Sequence, residues 1–217
     1  MDAARVQALR RHGGRIHPHE YPRLPKDLRT TGLRHLLEWE DHFAPVPVRE
    51  GQSELGPLFI KRIYSTAHQV PSERRQLPPL VLFPPYGCNG NFYRVDSHGN
   101  VLSLDTDDSM ANFFAVRGRD VYIVHPSYCE RVYKNYVERF PEVPCLFPGR
   151  ASFETLLARD VPAVIDYVRK STGADQVDWL GMSMGGLLMY AYLATHPDAP
   201  VRRVVTIGSP IEFGDEF

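Results

Sequence analysis

The sequence QVDWLGMSMGGLLMYAYLATH, residues 176–196, contains an abrupt change of pattern around one serine. The apolar start is typical of a short buried strand, whereas the longer apolar run after the serine has the length of a helix. Gly181 and Gly185 bracket Ser183 in the pattern Gly-x-Ser-x-Gly. Between a strand and a helix, this pattern predicts a nucleophile elbow, a sharp turn that presents the serine hydroxyl above the sheet. We therefore expect Ser183 to be a catalytic nucleophile.

Steric crowding explains the glycines of this turn. A side chain at position 181 or 185 is expected to collide with neighbouring backbone, which glycine avoids. Gly186 is expected to let the helix pack closely on the sheet. The N-terminus of that helix offers free N–H groups and a partial positive charge to a developing oxyanion. The alternative interpretation is a glycine-rich turn with an incidental serine.

An oxyanion hole requires two N–H donors. The first is expected from the residue after the nucleophile, which is Met184. The second is expected in the loop PPYGCNG, residues 84–90, which follows an apolar strand. Because proline has no N–H group, the two prolines are excluded and Tyr86 or Gly87 becomes the second donor. Ordinary turn chemistry is the alternative explanation of this loop.

Predicted strands alternate with predicted helices from residue 79 onward. This alternation is typical of a mostly parallel, doubly wound α/β sheet. Strands are predicted at residues 80–83, 120–126, 176–181 and 201–210, and helices at 107–118, 152–170 and 184–196. The helix at 152–170 is expected to start or kink at Pro162 and to end before Gly173.

The first forty residues have a different character from the rest. They begin with a Pro-rich, weakly periodic stretch, and the spacing of apolar residues within 31–43 predicts a short amphipathic helix. We therefore divide the chain into a basic N-terminal arm with a short helix, residues 1–40, and an α/β core, residues 41–217. Two strands, at 45–51 and 56–65, are predicted to open the core as a hairpin.

Charge is unevenly distributed although the chain as a whole is nearly neutral. The 217 residues carry a formal net charge of −1 and the pI is about 6.8, which argues against a nucleic-acid partner. Residues 1–36, by contrast, hold eight Lys or Arg residues and three acidic residues. A solvated arm explains this excess, and anchoring to an anionic membrane or partner is the alternative.

We expect no signal peptide, membrane-spanning segment or metal site, since the corresponding patterns are not seen in the sequence. Its start lacks an apolar segment, and no run approaches about 18 apolar residues. Three cysteines are an odd number without the spacing of a disulfide framework. These features predict a cytoplasmic protein without membrane association. The nine histidines show no ligand spacing, so neither a metal nor another cofactor is expected.

Residues 79–217 resemble the α/β-hydrolase superfamily. Four segments are similar to the corresponding parts of polyhydroxyalkanoate synthases, namely LVLFPPYGCNGNFYRVD (80–96), DVYIVHPS (120–127), ARDVPAVIDYVRKSTGADQVDWLGMSMGG (158–186) and VTIGSPIEF (205–213). Parts of residues 160–186 are also similar to acid lipases. The resemblance implies an α/β-hydrolase fold with acyl chemistry at the elbow.

Two departures from these families bear on the reaction. The synthases carry cysteine where this chain has Ser183, which favours an esterase or lipase acting on a small-molecule ester or acyl thioester. Tyr86-Gly87 stands where the superfamily commonly has His-Gly in its oxyanion loop. The alternatives are a synthase-like acyltransferase and a non-catalytic protein with this fold. The oligomeric state cannot be predicted from these patterns.

The resemblance also implies a catalytic acid and then a histidine after the serine in chain order. They are expected after the seventh and eighth strands of the superfamily's sheet. Residues 184–217 hold one predicted helix and one predicted strand, whereas a βαβ unit needs about 30 residues. We therefore expect strands 7 and 8 to be absent, the acid and base to lie beyond residue 217, and this N-terminal portion alone to show little turnover.

Some residues within the chain are weaker candidates for these roles. His125 ends a predicted strand at the edge where sites form, and Asp215 follows the sixth strand. His196 lies at the far end of the helix after the elbow, about 18 Å along its axis, too far to serve as the base. Asp178 and Asp166 are expected at a strand edge and on a helix surface.

Overall fold

The computed structural model describes residues 37–47, 55–66, 77–95, 108–139 and 151–211. Within them lie six strands, β1 (Leu37–Pro47), β2 (Leu55–Ser65), β3 (Leu80–Phe83), β4 (Val121–His125), β5 (Val177–Met182) and β6 (Val201–Ile207). The α-helices of these segments are α1 (Met110–Ala115), α2 (Glu130–Arg139), α3 (Phe153–Thr155), α4 (Val161–Thr172) and α5 (Met184–Thr195). A 3₁₀-helix spans Gly90–Arg94 and a π-helix spans Leu156–Asp160. No helix of the described segments is long and apolar enough to cross a membrane.

The strands form one sheet in the order β1-β2-β4-β3-β5-β6. The hairpin of β1 and β2 is antiparallel, and β2 is antiparallel to β4. The remaining pairs, β4–β3, β3–β5 and β5–β6, are all parallel. The prediction of a mostly parallel α/β sheet is therefore confirmed, and the carboxyl ends of β3 and β5 lie side by side.

The helix predicted within residues 31–43 is wrong for the part that the structure describes, because β1 begins at Leu37. Leu37, Trp39, Asp41 and Phe43 are buried while the residues between them are partly exposed, which is the period of a strand. The hairpin with β2 is confirmed, with the first strand starting eight residues earlier than predicted. A boundary at residue 40 would cut through β1, and the arm itself lies outside the described residues.

Apolar side chains fill both faces of the sheet. In β3, Val81 and Phe83 join the cluster under α4 and α5, whereas Leu80 and Leu82 join the cluster under α1. All four residues are buried, which is typical of an uninterrupted apolar strand in a parallel sheet. Helices on both faces of a parallel sheet are the arrangement of a doubly wound fold.

The long helix before β5 has a π turn where its sequence contains proline. The Val161 N–H group donates to the Leu156 carbonyl, five residues back, directly before Pro162. Proline has no N–H group and its ring excludes the carbonyl four residues earlier, so the regular pattern is interrupted there. The helix ends at Gly173, whose φ of 72° is left-handed. Its buried face consists of Val161, Val164, Ile165 and Val168, together with Leu156 of the π turn.

Candidate active site

Ser183 occupies a strained turn between β5 and α5. Its backbone has φ 50° and ψ −115°, and among the described residues no other non-glycine residue has a positive φ. A conformation of this kind costs of the order of 1–3 kcal/mol and persists only when neighbours fix it. The Ser183 N–H group donates to the Ile207 carbonyl at 2.8 Å. The Ser183 carbonyl accepts from the N–H groups of Gly186 and Leu187. The residue is partly exposed.

Close packing around the turn excludes side chains at three glycines. A Cβ atom at Gly181 would lie 2.3 Å from the Gly185 carbonyl, and one at Gly185 would lie 2.3 Å from the Phe83 carbonyl oxygen. A Cβ atom at Gly186 would lie 2.1 Å from the Ser209 hydroxyl oxygen. Since Cβ atoms do not approach other heavy atoms so closely, these positions have room only for glycine. The first turn of α5 is thus held against the segments that follow β3 and β6.

The loop after β3 begins with a tight turn from Pro85 to Cys88. The Cys88 N–H group donates to the Pro85 carbonyl at 3.2 Å, and Gly87, the third residue, has φ 75°. A positive φ at this position is the mark of a type II turn, which glycine adopts without strain. The N–H groups of Tyr86 and Gly87 do not close the turn. Tyr86 is 75% exposed.

This turn and the elbow share one edge of the sheet. Phe83, the last residue of β3, pairs with Gly181 of β5, so both loops leave adjacent strands at the same level. The Tyr93 hydroxyl donates to the Phe83 carbonyl at 2.7 Å and also takes a hydrogen bond from the Met182 backbone. Burial raises the pKa of Tyr93, so this hydroxyl stays protonated. Ligands of open α/β sheets bind at this edge.

His125 lies at the end of β4 but is not joined to Ser183. It is 2% exposed, and neither ring nitrogen has a hydrogen-bond partner among the described residues. Burial, together with the positive charges of Lys61 and Arg94, lowers the pKa of His125 to about 3. A general base must reach the proton that it removes. The structure therefore gives His125 a place in the core, as a neutral imidazole.

The other predicted candidates for base and acid are also not brought to Ser183 by the described residues. His196 lies at the far end of α5, where its Nδ1 is 2.9 Å from the Thr195 hydroxyl and its ring stacks on Tyr192. Asp215 lies outside the described residues. Whether a base reaches the serine thus depends on parts of the protein outside the described segments.

Two aspartates have structural partners. Asp178 forms ion pairs with Arg119 and Arg202, at 2.7 and 2.6 Å, near the start of β5. Asp166 is exposed on α4, with Lys170 at 3.9 Å. Both positions agree with the strand-edge and helix-surface roles predicted from the sequence. In the described segments, no three His, Cys, Asp or Glu side chains lie together as a metal site would require.

Comparison with known proteins decides the family. A sequence model of the alpha/beta hydrolase fold family matches residues 97–217, more than half of the chain. The chain belongs to this α/β-hydrolase family.

Two relatives of this α/β-hydrolase chain differ in the chemistry that their names describe. It is 25% identical over 144 residues to the poly(3-hydroxyalkanoate) polymerase subunit PhaC of Allochromatium vinosum, which covers 66% of this chain and 34% of that protein. A solved structure of a candidate lipase from Sulfolobus solfataricus aligns with 89% of this chain and 51% of its own, at a TM-score of 0.54 and 14% identity. The chain therefore spans about a third and about half of these two proteins.

Several residues at or near the carboxyl ends of the parallel strands were not predicted from the sequence of this α/β-hydrolase chain. Tyr93 lies in a 3₁₀-helix whose sequence, GNFYR, has no apolar periodicity. Asp160 is fully buried in the π turn, although an aspartate in a helix is expected at the surface. Asp160 accepts from the Ser127 N–H group in the loop after β4. The one sequence signal for this exception is the nearby Pro162, which marks an irregular helix.

Proposed function

We propose that this α/β-hydrolase chain uses Ser183 to attack the carbonyl carbon of a carboxylic ester or acyl thioester. The observation that carries the proposal is the backbone of Ser183, which has a positive φ directly after the carboxyl end of β5 although this conformation costs about 1–3 kcal/mol. Strain of this kind is typical of a functional site, and the residue is partly exposed there. A merely connecting turn would have no need of it.

The proposed hydrolysis has two steps, formation of an acyl-enzyme and its reaction with water. The Ser183 oxygen bonds to the carbonyl carbon and its proton passes to a base, while the bond to the alcohol or thiol breaks and that leaving group takes up a proton. Water then attacks the acyl-enzyme, releases the acid and returns the proton to Ser183. Oxyanions formed in both steps would accept hydrogen bonds from the Met184 N–H group and from that of Tyr86 or Gly87.

The base is expected outside the described residues. His125 is buried without a link to the serine, and His196 lies at the wrong end of α5. A histidine and an acid, with Asp215 as one candidate for the acid, would complete the usual order of serine, acid and histidine.

A fluorophosphonate probe tests the nucleophile in the full-length protein. We expect one covalent adduct, located at Ser183 by mass spectrometry of the digested protein, and no adduct in Ser183→Ala. Ser171→Ala, a change at an exposed serine of α4, is the matched control and should label like wild type. An unlabelled wild type, or a labelled Ser183→Ala variant, would contradict the proposal.

Acyl transfer is the second candidate, favoured by the similarity to the PhaC subunit. In that reaction a hydroxyl group replaces water as the acceptor of the acyl group, and the product is an ester. Either reaction releases free thiol from a hydroxyacyl-CoA, and analysis of the acyl product distinguishes hydrolysis from acyl transfer. Free hydroxy acid supports hydrolysis, whereas oligomeric ester supports transfer.

A further inference from the structure

The turn that carries Tyr86 and Gly87 is held by a tyrosine from a different loop. The Tyr128 hydroxyl lies 3.0 Å from the Pro85 carbonyl oxygen and 2.9 Å from the Cys88 carbonyl oxygen. These two carbonyls belong to the first and last residues of the turn. One hydroxyl therefore bridges both ends of the turn.

A second donor supports the same contact. The Cys129 thiol, next to Tyr128, donates to the Cys88 carbonyl at 3.5 Å. Burial raises the pKa of Cys129 to about 12 and raises that of Tyr128 as well, so both side chains keep their protons at neutral pH. Both can thus remain hydrogen-bond donors to the turn.

Tyr128 is itself fixed by a buried polar group. The preceding residue, Ser127, donates its N–H group to Asp160 at 2.9 Å, and its hydroxyl accepts from Arg159 at 2.6 Å. Asp160 is fully buried within the π-helix before α4, and Arg159 is 8% exposed. Hydrogen bonds therefore tie the helix to the loop after β4, and other hydrogen bonds tie that loop to the turn after β3.

We propose that Tyr128 is a positioning residue that fixes the Pro85–Cys88 turn so that the N–H group of Tyr86 or Gly87 faces the oxyanion. This rests on the proposed function of Ser183. Preorganised donors stabilise a transition state because they need not reorient as charge develops. A turn without its bridging hydroxyl still forms, but its N–H groups sample other directions.

Tyr128→Phe is the test, since it removes the hydroxyl and retains the ring that packs 5.8 Å from the ring of Tyr86. Tyr192→Phe is the matched control, because Tyr192 lies two turns or more along α5 from Met184, about 12 Å by helical rise. Thermal unfolding of both variants in the full-length protein shows whether each still folds.

Amide hydrogen exchange gives a reading that needs no catalysis. We expect Tyr128→Phe to speed exchange in peptides covering residues 84–90 by about fivefold or more, with other peptides unchanged, and Tyr192→Phe to leave that segment as in wild type. Unchanged exchange at residues 84–90 in Tyr128→Phe would overturn the proposal.

The rate of fluorophosphonate labelling measures the effect of Tyr128→Phe on the reaction of Ser183. We expect Tyr128→Phe to label about tenfold more slowly than wild type, and to lower kcat for an ester substrate by a similar factor while KM changes little. An unaltered rate alongside faster exchange would show that Tyr128 holds the turn without positioning the donors, and so would overturn the proposal. If wild type never labels, the proposed function fails, and hydrogen exchange alone decides whether Tyr128 fixes the turn.

Discussion

The backbone of Gly185 packs directly on the carbonyl group of Phe83, so closely that a Cβ atom at 185 would lie 2.3 Å from the carbonyl oxygen. This contact joins the first turn of α5 to the end of β3. It therefore joins the elbow that holds Ser183 to the loop that holds Tyr86. Because the obstructing atoms belong to the backbone of a buried strand, they cannot move aside as a flexible side chain would.

Gly185→Ala is expected to destabilise the fold by about 3 kcal/mol, the upper end of the cost of overpacking. Gly87→Ala is the matched control, since a Cβ atom there meets nothing within 4 Å and only its positive φ is unfavourable, at about 1 kcal/mol. Urea unfolding of both variants should place the midpoint of Gly185→Ala well below that of Gly87→Ala. The reverse order would show that the elbow is not packed against β3.

The hydroxyl of Tyr93 should contribute to stability through the Phe83 carbonyl. Tyr93→Phe leaves that buried carbonyl without this donor, which is expected to cost about 1–2 kcal/mol. Tyr192→Phe, at the other end of α5, should change stability by less than about 0.5 kcal/mol. Equal unfolding midpoints for the two variants would rule out a stabilising bridge at Tyr93.

The buried imidazole of His125 should make the fold sensitive to mild acid. In the unfolded chain a histidine has a pKa of about 6.5, whereas in the fold burial, with Lys61 and Arg94 opposing the pull of Asp41, lowers the pKa of His125 to about 3. Between these values only the unfolded chain takes up the proton. The titration of His125 therefore costs no stability above about pH 6.5, and the free energy of unfolding falls as the pH drops from there toward 3.

His125→Gln removes this titration. Its stability should fall less than that of wild type between pH 7.5 and 4.5, by about 3 kcal/mol, the value for about two pH units of linkage. Urea unfolding at the two pH values measures this difference, and the carboxylates common to both proteins cancel. If both proteins lose the same stability, His125 is already charged or exposed in the fold.

Local sequence was enough to predict the elbow but not all that surrounds it. Gly181, Ser183 and Gly185 are neighbours in the chain, so their pattern is visible in the sequence, although the atoms that exclude a side chain at Gly185 belong to Phe83 of β3. The contacts of Tyr93 and Tyr128 join loops that are distant in sequence, so no periodic pattern marks them. These residues could be found only once the strands had been placed side by side.

The wrong prediction of a helix at β1 also has its cause in a contact between residues that are distant in sequence. Asp41 interrupts the apolar pattern of the segment, which therefore fits a helix better than a strand. In the structure Asp41 is buried because Lys61, directly opposite on β2, forms an ion pair with it. A buried charge is compatible with a strand when its partner comes from the neighbouring strand, and no single segment reveals that partner.

The proposed role of Ser183 as nucleophile is tested most directly by the mass of the full-length protein after reaction with a fluorophosphonate. A single adduct on the peptide that contains Ser183, absent from Ser183→Ala and slowed about tenfold in Tyr128→Phe, is the expected result. A folded wild-type protein that acquires no adduct, or acquires it on another residue, would contradict the assignment of Ser183 as the nucleophile.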